Sequence, residues 1–119
     1  MSRYISVFLW LMPKKNIPQY KKLIKKMAPI FIKLGATEFR EYVGADLSKQ
    51  HGMIPFPTKI KPKKGEIVFI SIVGFKSKTH AQKVMKKFEK YPWPNMDKIM
   101  ELVDHKRMVY GEFSIMVRS

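Results

Sequence analysis

The sequence predicts an α+β fold, one antiparallel sheet with two helices on one face, in the order strand, helix, strand, strand, helix, strand. Three observations carry this. Branched and aromatic residues cluster at 3–12, 37–44, 66–75 and 106–117, as strands require. Two intervening stretches repeat apolar residues at helical spacing. Of 119 residues, 45% are hydrophobic, enough for one core, so 1–119 reads as a single domain.

The first strand, Arg3 to Met12, ends at Pro13, which has no N–H for a ladder. Asn16 then caps a helix that tolerates Pro18 in its first turn, and Gln19 stands where a capping box places its partner. Leu23, Ile24, Met27, Ile30, Phe31 and Leu34 form its apolar stripe. Pro29 should kink it and Gly35 should stop it. The second strand covers Thr37 to Gly44. The connection 45–65 contains Gly52, Pro55, Pro57 and Pro62, and its Thr58-Lys59-Ile60 core is expected to pair as a short edge strand. The third strand is Glu66 to Phe75. Ser77 caps a second long helix, on which Ala81, Val84, Met85 and Phe88 share a face. Pro92 and Pro94 stop that helix, Asn95 opens a short extra helix through Leu102, and Lys106 to Val117 is the last strand. This βαββαβ order is the ferredoxin-like arrangement.

Two-residue alternation divides each strand between two faces. Ile5, Val7, Leu9 and Leu11 share one with Val68, Ile70 and Ile72; this aliphatic set is expected under the helices. Tyr4, Ser6, Phe8, Trp10 and Met12 share the other with Phe69, Ser71 and Phe75. This second set is too apolar to face water and is expected to form an outer patch that needs a partner. A second sheet would cover it in a homodimer, or nucleic-acid bases would stack on it. RNA-recognition motifs use the second solution, with aromatic positions in their third strand. The corresponding Lys64-Gly65-Glu66-Ile67-Val68-Phe69-Ile70-Ser71 matches at its first two positions and at none of the aromatic ones. That argues against such a motif.

Lys and Arg number 24 against 9 Asp and Glu, a net charge of +15. Seven lysines and no acid lie between Pro13 and Leu34, and six lysines against Glu89 between Lys76 and Lys90. Lys21, Lys22, Lys25, Lys26, Lys83, Lys86 and Lys87 are therefore candidate polyanion-binding residues, giving weak, sequence-blind nucleic-acid binding. The alternative is a solvated helix face. The preference for lysine over arginine favours that alternative, because readers of phosphates and bases use the planar arginine fork. Without cysteine there is no disulfide, thiol or iron–sulfur chemistry. No apolar run is long enough for a membrane span, and no small-residue cleavage site follows Met12-Pro13; a cytoplasmic protein is expected.

The segments Met27 to Ala36, Glu66 to Val73 and Lys106 to Phe113, with the loop Gly52-Met-Ile-Pro-Phe-Pro57 and Lys59, resemble the YbaA-like family, small bacterial and archaeal proteins of unknown function. The resemblance spans nearly the whole chain, and Lys-Arg-Met-x-Tyr-Gly-x-Phe at 106–113 is its most specific piece. It implies a dimeric α/β barrel, in which two ferredoxin-like protomers pack sheet against sheet. The wider superfamily includes cofactor-free monooxygenases, isomerases and haem enzymes. The chain departs from the family at Glu101-Leu-Val-Asp104 and His105, where a proline-containing turn is usual. The family brings no catalytic residues to transfer.

The residues themselves name few chemical candidates. His51, His80 and His105 form no ligand motif, so no metal site is expected, nor any cofactor. Glu112, on the strand face of Tyr110 and Ser114, is a candidate general base with a raised pKa, with Tyr110 beside it; the alternative is pairing with Arg107 or a partner's lysine. Tyr4, Trp10, Tyr42, Phe75 and Ser114 are candidate ligand-binding residues, and Glu38, Arg40 and Tyr42 share a face as a polar wall. The functional expectation is a homodimeric small-molecule-binding barrel or cofactor-independent enzyme, its pocket between sheet and helices or within the barrel. The alternative is a non-enzymatic RNA- or polyanion-binding protein.

Overall fold

A computed structural model describes residues 2–119. Among them β1 (Tyr4–Pro13), β2 (Glu38–Val43), β3 (Glu66–Phe75) and β4 (Val109–Ser114) form one antiparallel sheet in the order β2-β3-β1-β4. The long helices are α1 (Ile17–Lys33) and α3 (Lys78–Lys90). This is the expected ferredoxin-like α+β arrangement. Two short helices accompany them, α2 (Phe56–Ile60) and α4 (Met96–Leu102). No helix among the described residues is long and apolar enough to cross a membrane.

Local chemistry sets the boundaries. A 3-10 turn, Lys14–Asn16, precedes α1, and the Asn16 side chain donates to the Leu102 carbonyl rather than capping the helix. Pro29 lies inside α1. At the other end Gly35, at φ 123°, donates to the Ile32 carbonyl, and Ala36 donates to that of Phe31. This pair of bonds is a Schellman stop. Ser77 caps α3 by accepting from the His80 N–H.

Two boundary expectations are corrected. Thr58 to Ile60 is the end of helix α2, not an edge strand; Pro57 sits in its first turn and Lys61 closes it in the left-handed region. The last strand covers only Val109–Ser114, because a 3-10 turn, His105–Arg107, occupies its expected start. Asp104 holds that turn by accepting from the Lys106 N–H and the Arg107 Nε.

The larger correction concerns the two sheet faces. Register places Trp10 opposite Phe69, Phe8 opposite Ser71 and Tyr110, and Tyr4 opposite Phe75. This aromatic face lies beneath the helices. Trp10, Met12 and Phe69 are buried with Tyr20 and Met27 of α1 and Ile99 of α4. Tyr4, Val73 and Phe75 are buried with Ala81 and Val84 of α3. The aliphatic face, with Ile5, Val7, Leu9, Ile70 and Ile72, turns outward and is buried only at its Leu11–Val68 end. Aromatic side chains each bury about 150–250 Å², so covering that face stabilises the fold most. The hydroxyls interspersed there do not mark solvent. Ser71 supplies the hydrogen-bond partner that the buried Trp10 indole needs.

Candidate functional site

Between the aromatic sheet face and the helices lies a cavity of about 500 Å³. β1 contributes Ser6, Phe8 and Trp10 to its wall, and α1 contributes Tyr20, Ile24, Met27 and Phe31. Phe39 and Glu41 come from β2, Ser71 and Val73 from β3, Met85 and Phe88 from α3, and Met96 and Ile99 from α4. Exposed Glu89, Met100 and His105 reach it at the surface and form its mouth. The aromatic packing is tight on one side: Phe31 stacks on Phe39 at 4.1 Å between ring centres, and Trp10 on Phe69 at 4.5 Å.

One polar network crosses this apolar wall. Ser71 Oγ accepts from Trp10 Nε1 at 2.8 Å and donates to Glu41 Oε2 at 2.6 Å. Tyr20 OH donates to Glu41 Oε1 at 2.7 Å. Sheet register builds it: Glu41 is directly opposite Ser71 across β2 and β3. Burial pushes the Glu41 carboxyl above the usual range, and the hydroxyls of Ser71 and Tyr20 only partly offset this. Burial also raises the Tyr20 phenol, with the neighbouring carboxylate adding to the effect. Tyr20 therefore stays protonated and donates. Each Glu41 oxygen accepts one bond and keeps a lone pair for something else. Such a carboxyl can accept a proton or hydrogen bond from a bound molecule, or donate one when protonated.

Sequence reasoning missed Glu41. The polar wall read on β2 was Glu38, Arg40 and Tyr42, which face outward, where Glu38 and Arg40 pair at 3.1 Å. The signal was the alternate set: Phe39, Glu41 and Val43 place a carboxyl between two apolar residues on the face that also carries Ser71.

Of the expected ligand-binding residues, Trp10 lines the cavity. Phe75 is fully buried in the neighbouring core. Tyr42 is 48% exposed on the outer face. Ser114 is exposed and borders a separate crevice of about 140 Å³ with Arg3, Ile5 and Phe113. Tyr4, Tyr110 and Glu112 form a cluster of their own. Tyr4 OH donates to Glu112 Oε1 at 2.6 Å and Tyr110 OH donates to Oε2. Tyr110 OH also lies 3.5 Å from Ser6 Oγ, whose residue is on the cavity wall. Glu112 does not have the raised pKa expected of it. Its carboxyl is held below the usual range by the bond from Tyr110 and then that from Tyr4. Nor does it pair with Arg107, which makes a bidentate contact to Glu66 at 3.0 and 2.5 Å. Lys21, Lys22, Lys25, Lys26, Lys83, Lys86 and Lys87 are all exposed on α1 and α3. Among the described residues no group of three His, Asp or Glu comes together to hold a metal ion.

Comparison with known proteins adds a family and a fold. The family described as "Protein of unknown function (DUF1428)" matches residues 3–105. No curated protein matches the chain. A crystal structure described as a dimeric ferredoxin-like protein from an uncultured marine organism superposes with a TM-score of 0.64 at 8% identity, covering 98% of both chains. An Arabidopsis thaliana protein gives 0.61 at 15% identity, again over 98% of both. A dimeric ferredoxin-like protein of unknown function from Jannaschia sp. CCS1 gives 0.50 at 13% identity, over 94% of this chain and 99% of that one. These likenesses confirm the ferredoxin-like fold.

Proposed function

Because this chain belongs to the DUF1428 family, whose function is unknown, we propose its function from the cavity: a homodimeric protein that binds an apolar small molecule between sheet and helices, with Glu41 as its proton-handling group. The observation that carries this is the placement of Glu41 at the wall of the 500 Å³ cavity, held by Tyr20 and Ser71. Volumes of about 300–1,000 Å³ lined by apolar groups with a few convergent polar ones are typical of small-molecule sites. General acid–base chemistry by Glu41 needs no cofactor, which makes a cofactor-independent enzyme the catalytic form of this reading. Tyr110 and Glu112 are the outer group, reaching the wall through Ser6 and through the packing of Tyr110 on Phe8.

The second copy belongs on the outward aliphatic face. Val109 and Phe113 are 56% and 55% exposed there, beside half-buried Ile5, Val7 and Leu9. An apolar face of this kind marks an interaction surface. The dimeric description of two structural neighbours supports packing sheet against sheet, as does the YbaA-like resemblance, within which we also place the chain.

The test of the binding reading is a screen of apolar fragments by protein-observed NMR. Binding should shift the Trp10 indole N–H and the backbone signals of Ser71 and Glu41 together. Ligands that bind elsewhere and leave these signals unmoved would refute the assignment of the site.

A further inference from the structure

Resting on that reading, we infer the class of ligand: an uncharged, largely apolar molecule with one hydroxyl or N–H donor, which it directs at Glu41. The chain has 24 Lys and Arg, yet among the described residues none lines the cavity. The acids that do are Glu41 at the wall and Glu89 at the mouth. A carboxylate or phosphate entering this space would lose its hydration, leave the His105 imidazole behind at the mouth, find no lysine or arginine and meet the Glu41 carboxylate. The overall charge of +15 makes the point sharper. The long-range field concentrates anions and repels cations, so rejection of anions has to come from the cavity itself.

The remaining chemistry specifies a donor. Tyr20 and Ser71 are both committed to Glu41, and the Ser71 hydroxyl is further occupied by Trp10. The network therefore presents acceptor lone pairs on Glu41 and no spare donor when the carboxyl is ionised. A ligand with one donor completes it, and one without leaves those lone pairs unmet. The apolar remainder sits among Phe8, Phe31, Phe39 and Phe88, flanked by Met27 and Met85. Methionine adapts to irregular shapes, so the site discriminates by polarity more than by outline.

Three probes of one shape separate these terms: β-naphthol, naphthalene and β-naphthoate, titrated near neutral pH by calorimetry or fluorescence against the full-length protein and its Glu41→Gln variant. The wild type should bind naphthol roughly tenfold more tightly than naphthalene, the scale of one hydrogen bond to a charged acceptor. Naphthoate should bind most weakly. Glu41→Gln should bring naphthol and naphthalene within about threefold and improve naphthoate, since the amide removes the negative charge. Naphthoate binding as tightly as naphthol, or affinity ratios left unchanged by Glu41→Gln, overturns the inference while leaving the cavity as a binding site. Failure of all three to bind removes both. If the variant does not fold, the wild-type order alone decides, with nuclear Overhauser contacts to Phe8 and Phe39 required to place naphthol in the cavity.

Discussion

Trp10 and Glu41 are joined through a single hydroxyl. The indole donates to Ser71 Oγ and that oxygen's own proton goes to the carboxylate, so a residue of the buried core and the acid at the cavity wall share one hydrogen-bonded chain. Conditions that alter the charge of Glu41 must therefore act on stability as well as on the proposed binding.

Glu41→Gln should stabilise the protein, and more so as pH rises. A carboxyl whose folded pKa lies above its unfolded value costs nothing while both states are protonated, and opposes folding as pH climbs through the unfolded and then the folded value. The gain over wild type should be absent at acid pH and grow through neutrality, read as a widening difference in Tm. Parallel thermal melts across pH check this; a gain over wild type that is smaller at neutral than at acid pH contradicts it.

The Arg107–Glu66 pair should show the opposite sign. Glu66 is held below the usual carboxylate range, first by its bonds from Arg107, so its contribution is present above the unfolded pKa and lost as pH falls through the folded one. Arg107→Gln should cost roughly 1–3 kcal/mol at neutral pH, the cost of breaking a charge-assisted hydrogen bond. The difference should shrink in strong acid, where Glu66 and Asp104 are protonated in both proteins. Urea titrations at both pH values measure it.

Substitutions on the two sheet faces should part company. Val7→Glu, on the outward face between Ile72 and Gly111, should give a folded monomer by light scattering at micromolar concentration. Trp10→Ala should instead lower stability by about 3–5 kcal/mol, the cost of emptying a buried aromatic site. A Val7→Glu protein that remains dimeric argues against that face as the interface.

Gly35→Ala tests the junction of α1 and α3. An added Cβ would stand 2.9 Å from Val84 Cγ2, at a φ of 123° that side chains rarely adopt. The loss should exceed about 1 kcal/mol, more than the gain a Gly→Ala change brings where the backbone is compatible. Chemical denaturation provides the measurement.

The lysines of α1 and α3 carry the last expectation. Binding of single-stranded RNA should be weak, and its affinity should fall by orders of magnitude between roughly 50 and 200 mM salt, because only counterion release drives it. Stacking on Trp10, Phe69 and Phe75 is closed to RNA, since these three are buried under the helices. Sequence-selective binding that survives physiological salt would reverse this ranking.

Most of the fold could be read in the sequence because its signals are local. Pro13, Gly35, Ser77 and the alternation of 66–75 each act within a few residues. Which sheet face lies inside is not a local property. Both faces of β1 are apolar, and parity sorts Ile5 from Tyr4 without saying which set the helices cover. The site suffered from the same ambiguity. With the faces exchanged, Tyr42 looked like a ligand contact, while Glu41 was on a face assigned outward; Ser114 shares the face of Tyr4 but lies at the end of β4, beside the separate crevice. Thr58 to Ile60 misled for a different reason: three residues cannot establish a period, and Pro57 favours a helical first turn as readily as an edge strand.

Strand β2 alternates Glu38, Arg40 and Tyr42 outward with Phe39, Glu41 and Val43 inward. Its side chains have a period of two, so gaining or losing a single residue ahead of Glu41 would exchange the two rows. A guanidinium would then point into the apolar chamber and the Glu41 carboxyl would leave it. Selection for that carboxyl would hold this edge strand to one length even while individual side chains vary. New specificities in relatives of this protein should therefore arise by substitution on β2 and by insertion in the 45–65 connection, where no register is at stake.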